Sequence, residues 1–170
     1  METQKMIISV DFDGTCVTHE FPEVGKEIGA AIVLKTLTKN GYDLILSTMR
    51  CDHDFEPGSD QPDIIAKGGP YLTHAVAWFR QYNIPLYGVQ ENPSQKSWTS
   101  SPKVYSHLDI DDRNLGVPLL FYPTISTKPF VNWFKVTQLL HEKNMLTNRQ
   151  RLSCESTISQ FFHRAYQIML

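Results

Sequence analysis

The stretch "ISVDFDGTC" carries two aspartates one residue apart, Asp11 and Asp13, at the end of an apolar run. In an extended segment alternate residues share a face. Both carboxylates could therefore approach one bound group, one attacking while the other handles a proton. Carboxylates do act as nucleophiles in aspartyl-phosphate chemistry. Gly14 follows at once and lets the backbone turn sharply.

Two other apolar runs end in polar groups. "LILSTMR" delivers Ser47, Thr48, Met49 and Arg50, and "LDIDDRN" delivers Asp109, Asp111, Asp112, Arg113 and Asn114. If these runs are neighbouring strands, the carboxylates crowd together. At about 4 Å, two like charges repel by roughly 4 kcal/mol at an effective dielectric near 20. A divalent cation removes that repulsion. Oxygen donors without clustered Cys or His suit Mg²⁺ better than zinc, and Mg²⁺ would also neutralise phosphoryl oxygens. The Thr48 hydroxyl could hold a phosphoryl oxygen, with Ser47 in its place if the strand stops one residue early. Lys103 is the lysine best placed to steady transition-state charge, with Lys96 and Lys67 as competitors. Arg50, His53 and Arg113 could grip a substrate's anionic tail or simply lie at the surface. His19, His53 and His107 sit in different segments without ligand spacing, so no histidine metal site is expected.

The elements that must position these residues alternate. Apolar runs at 6–10, 43–48, 84–90 and 104–110 read as strands, and "VPLLFYP" as a fifth strand or buried loop. Helical spacing marks "KEIGAAIVLKTLTKNG", with Ile28, Ile32, Leu34 or Lys35, and Leu37 on one face. It also marks "PYLTHAVAWFRQYN", "PFVNWFKVTQLLHEKN" and residues 149–167. Trp78, Phe79, Trp133 and Phe134 are expected in the core. The stripe Ile158, Phe161, Phe162 and Ile168 is expected to pack, with a homo-oligomeric contact there left open. Strands alternating with helices predict an α/β protein, a three-layer Rossmann-like parallel sheet with helices on both faces. Chemistry in such sheets collects beyond the carboxyl ends of the strands.

The 170 residues suit one domain. A net charge of −2 gives no reason to expect nucleic acid or an anionic membrane as a partner. Three scattered cysteines, Cys16, Cys51 and Cys154, do not make a disulfide framework and fit a reducing compartment. The opening "METQK" and the short apolar run behind it are too brief for a signal peptide, and no run approaches membrane-spanning length. A cytoplasmic, soluble protein is expected.

"VDFDGT", "LILSTMR", Lys103 and "LDIDDRN", in that order, resemble the haloacid dehalogenase (HAD) superfamily of phosphohydrolases over roughly residues 6–118. The resemblance implies that Asp11 is the nucleophile and a Mg²⁺ ligand. Asp13 would be the general acid/base and offer its main-chain carbonyl to the metal. Thr48 would bind the phosphoryl group, Lys103 steady it, Asp111 ligate the metal and Asp112 support it. There is no room after the first motif for a large inserted cap. The chain therefore resembles a capless member with a short flap at about 14–25, a partial lid at about 51–69 and a helical extension at 146–170. Capless members act on large substrates or borrow a lid from another subunit.

The function so implied is Mg²⁺-dependent hydrolysis of a small phosphorylated metabolite, a nucleotide or sugar phosphate. A receiver-like phosphoacceptor is the alternative outside enzymology. Receivers place the acidic pair first and a lone acceptor aspartate later, the reverse of this order. A phosphotransferase belongs to the same superfamily, as does a dehalogenase, which does not need Asp13. A nucleic-acid-end phosphatase suits a capless site but finds no support in the charge balance.

Overall fold

The computed structural model describes residues 5–52 and 68–167, with side chains through His163. Lys67, His53 and most of the expected partial lid lie outside the described residues, as does Ile168.

Four strands, β1 (Ile7–Val10), β2 (Asp43–Leu46), β3 (Gly88–Val89) and β4 (Leu108–Ile110), form one sheet in the order β3-β2-β1-β4. Every pairing in it is parallel. All four residues of β1 are buried, as are Leu44, Ile45 and Leu46 of β2. A strand covered on both faces reads as a continuous apolar run, which is why β1 and β2 were plain in the sequence. Helices flank the sheet: α1 (Ala30–Lys39), α2 (Tyr71–Gln81), α3 (Trp133–Glu142) and α4 (Asn148–Gln167). The chain is thus α/β with a Rossmann-like three-layer arrangement, as its alternation predicts. Among the described residues, no helix is long and apolar enough to cross a membrane.

The register brings the site together. Val10 pairs with Leu46 on one side and Ile110 on the other. The residues that follow these three positions therefore leave the sheet side by side. The chain moves outward from β1 through β2 to β3, then returns to the far side of β1 as β4. The crevice between β1 and β4 is a topological switch point, where ligands bind in open α/β sheets.

Several elements differ from their sequence expectation, each for a local reason. The second strand stops at Leu46 rather than residue 48. Only Gly88–Val89 of 84–90 is strand, since Gln90 takes a positive φ of 58° and ends the extended run. The strand expected at 104–110 begins at Leu108. Upstream, the Gln95 side chain accepts the Tyr105 N–H at 2.7 Å and Asn92 Nδ2 donates to the Tyr105 carbonyl at 2.9 Å. Those groups are thereby unavailable to a ladder. Leu119–Leu120 (β5) pairs antiparallel with Phe130–Val131 (β6) in a separate small sheet. The third helix consequently starts at Trp133, capped by the Asn132 side chain accepting the Lys135 N–H.

Ile28 packs in the core ahead of α1 rather than on it, because Gly29 (φ +98°) turns the chain there. Glu27 Oε1 accepts the N–H groups of Gly29 and Ala31 at 2.8 and 2.9 Å, capping the helix start. The C-terminal helix belongs to the same core. Cys154 and Ile158 are buried, α4 packs along α3 and meets α1, and Phe162 stacks on Phe130. Trp78, Phe79 and Trp133 are core residues, and Phe134 packs at its border.

Candidate functional site

Phe12 anchors the first motif. It is fully buried against Trp78 and Phe79 of α2, with ring centroids 5.8 and 6.3 Å away. Its carbonyl accepts the N–H groups of Thr15, Cys16 and Val17. This tight turn, with Gly14 at φ +77°, carries the chain back over the strand ends.

Asp11, Asp111 and Asp112 each present a carboxylate oxygen, and these atoms lie within 4.8 Å of one another. The first and fourth strand ends therefore meet. Thr15 ties them: its buried hydroxyl donates to Asp11 Oδ2 at 3.1 Å and accepts the Asp112 N–H at 3.0 Å. Thr15 is held in turn by Trp133, whose indole N–H donates to the Thr15 carbonyl at 2.6 Å. Asp111 Oδ1 accepts the Arg113 N–H at 2.8 Å.

The electrostatics follow from burial and crowding. Burial, reinforced by the charges of Asp111 and Asp112, pushes Asp11 from its ordinary 3.8 up to about 7; the Phe12 N–H and Thr15 hydroxyl pull the other way. Asp112 is also raised, chiefly by burial, with His19 opposing. Three hard oxygen donors converging at one point are the donor set a Mg²⁺ ion takes, so the residues present fit that ion. Cys16, buried beneath them with its thiol 3.2 Å from the Asp11 carbonyl, is pushed well above the usual thiol range, first by burial. It stays a thiol rather than a ligand.

Asp13 goes elsewhere. Arg50 Nε donates to Asp13 Oδ2 and Nη2 to Oδ1, both at 2.7 Å. Arg50 is only 2% exposed. It is neither at the surface nor free to grip a substrate, because a buried guanidinium keeps its acceptors. The expectation that Asp11 and Asp13 approach one group is not met by their side chains in this arrangement. Asp13 would reach a metal only through its main-chain carbonyl.

Thr48 lies just past β2, and the Gln90 side chain holds its backbone. The Thr48 N–H donates to Gln90 Oε1 at 3.1 Å, and Gln90 Nε2 donates back to the Thr48 carbonyl and to the Arg50 carbonyl. Ser47, the first residue past β2, donates its N–H to the Val10 carbonyl at 2.9 Å. Lys103 is exposed; its carbonyl accepts from Gln95 Nε2 at 2.7 Å. Among the described residues its ammonium joins no ion pair. Lys96 pairs with Glu91 at 3.4 Å on the surface. Asp109 is exposed and accepts from Ser106. His107 is structural, its Nδ1 accepting the Ile7 N–H at 3.0 Å.

Sequence reasoning gave Thr15, Gln90 and His19 no role. His19 Nε2 stands 3.3 Å from Asp112 Oδ2. It reaches there because the chain doubles back at Gly14, where a Cβ would come within 2.1 Å of His19 Nε2. No periodicity announces such a reversal. The GT pair after DxD was the one available signal for Thr15. A cleft of about 600 Å³ runs along the free edge of β4 toward Val136 and Leu140 of α3, and it includes none of the acid cluster. Charge and topology, not cavity size, locate the site.

No family model matches this chain, and no curated protein matches it. A solved structure described as a conserved protein from Bacteroides thetaiotaomicron is similar to it at 29% identity. The match has a TM-score of 0.59 and spans 82% of this chain and 92% of that one.

Proposed function

We propose that the chain is a Mg²⁺-dependent phosphohydrolase acting through an aspartyl-phosphate intermediate on a small phosphorylated metabolite, a nucleotide or sugar phosphate. The observation that carries this reading is the meeting of Asp11, Asp111 and Asp112 within 4.8 Å at the β1/β4 switch point. Asp13 stands two residues from the attacking group. The ordered motifs of the HAD superfamily supply the chemical assignment.

Asp11, Asp111 and Asp112 would hold the cation. When bound, Mg²⁺ supplies positive charge that offsets the carboxylates and the phosphoryl oxygens. An Asp11 carboxylate oxygen attacks phosphorus while the ester oxygen leaves with a proton from Asp13. Water then attacks the aspartyl phosphate, giving its proton to Asp13 and releasing inorganic phosphate with Asp11 restored. Thr15 fixes the rotation of the Asp11 carboxylate through Oδ2. Thr48 and Lys103 are proposed to hold the phosphoryl group as it transfers.

The test is phosphate release from p-nitrophenyl phosphate and a panel of phosphorylated metabolites, with and without Mg²⁺. Turnover that needs Mg²⁺ and vanishes in Asp11→Asn is expected. Unaltered activity in that variant excludes the nucleophile. Labelling of one equivalent without turnover favours the phosphoacceptor reading instead.

A further inference from the structure

The Arg50 guanidinium is fixed in every direction. Nε and Nη2 take both oxygens of Asp13 at 2.7 Å. Nη2 also donates to the Glu23 carbonyl at 2.7 Å, and Nη1 donates to the Pro22 carbonyl at 3.2 Å. The rings of Phe12 and Phe21 lie against the guanidinium, with their centroids 5.1 and 5.2 Å from its central carbon. Pro22 and Glu23 belong to the flap, and Asp13 belongs to the catalytic turn. A planar fork of donors suits this divided task in a way that an ammonium does not.

From this geometry we infer that Arg50 is a positioning residue that couples Asp13 to the flap, so that the proton-transferring carboxylate and the Pro22–Glu23 backbone move as one piece. The inference rests on the phosphohydrolase reading. Stability alone does not account for the arrangement, since a buried ion pair adds little over an apolar replacement of similar volume. The pair instead sets where the Asp13 carboxylate points. With both oxygens taken by Arg50, and Arg50 in turn held by the Pro22 and Glu23 carbonyls, the Asp13 carboxylate keeps one orientation relative to the flap.

A double-mutant cycle on turnover tests this, using the full chain with Mg²⁺. Arg50→Gln removes the charge. Arg50→Lys keeps it but cannot serve four acceptors, and it stands in should Arg50→Gln fail to fold. Each is expected to slow p-nitrophenyl phosphate turnover by about 10- to 100-fold, within the range for impairing a general acid/base. The loss is expected to be larger on phenyl phosphate, whose poorer leaving group depends more on protonation. Placed in the Asp13→Asn chain, the same substitutions are expected to cost less than about threefold, because residues that act as a unit are not additive. Hydrogen exchange at the Thr18 amide, which bonds across the flap to the Lys26 carbonyl at 2.9 Å, is expected to quicken in Arg50→Lys. Equal losses with and without the Asp13 carboxylate, or on both esters, overturn the inference and leave the phosphohydrolase standing. Absence of turnover by the unsubstituted chain overturns both.

Discussion

The Thr15 hydroxyl accepts the main-chain N–H of Asp112 at 3.0 Å, stitching the turn after β1 to the end of β4. The same hydroxyl donates to Asp11 Oδ2. One buried side chain therefore sets the spacing of two carboxylates from distant parts of the sequence.

Thr15→Val keeps the shape and removes both bonds. Leaving such groups unpaired costs about 1–3 kcal/mol, so the urea midpoint should fall accordingly. Mg²⁺ affinity should weaken too, because Asp11 and Asp112 lose their common brace. A variant with unchanged midpoint and unchanged Mg²⁺ affinity removes Thr15 from this role.

Gly14→Ala meets two obstacles. Its φ of +77° disfavours any Cβ, and that atom would sit 2.1 Å from His19 Nε2 and 2.9 Å from Asp112 Oδ2. Left-handed strain alone costs about 1–3 kcal/mol. His19→Ala should recover the His19 share of the steric loss but neither the Asp112 contact nor the backbone part. Thermal melts of the two single variants and the double variant measure this; strict additivity contradicts the contact.

Stability should depend on pH through Asp11. Its pKa in the fold is raised to about 7 from an ordinary 3.8. The folded state thus binds the proton more tightly than the unfolded chain. The stability linked to that proton is complete below about pH 4 and is lost as pH rises through about 7. A displacement of about three pH units corresponds to at most about 4 kcal/mol. Asp112, also raised, adds in the same direction. Mg²⁺ should offset the loss, so its effect on Tm should be larger at pH 8 than at pH 5, and chelation should reverse it. A Tm gain independent of pH contradicts this account.

Asp13→Asn is expected to slow turnover by about 10²- to 10⁴-fold, the scale of a lost general acid/base. It also removes the charge partner of the buried Arg50 cation, which keeps the Pro22 and Glu23 carbonyls, so the stability loss should stay below the roughly 3–5 kcal/mol of a fully broken buried pair. Rates should be compared well below the variant's melting temperature. A rate loss under about threefold takes Asp13 out of proton transfer.

The alternation of buried strands and amphipathic helices was legible because local periodicity reports which side of an element faces the core. Val10 and Leu46 end apolar runs, and the polar groups behind them could be seen to converge once those runs were taken as neighbours. That Asp11 and Asp111 could meet was legible on the same ground; the Mg²⁺ their oxygen donors suit belongs to the reading proposed above. Short strands were less so: Tyr105 leaves the ladder because the side chains of Asn92 and Gln95 take its backbone, a long-range choice with no periodic trace.

Tertiary structure alone decided how the site residues divide. Asp11 and Asp13 look equivalent in "DFD", but a buried guanidinium from beyond β2 takes both oxygens of one and leaves the other to the acid cluster. His19 reaches Asp112 because the chain folds back over a glycine without a side chain. Sequence by itself determined which groups could do chemistry and at which end of the sheet. Their pairing depended on loop paths and on which charges burial forces together, and neither is written in the spacing of residues along the chain.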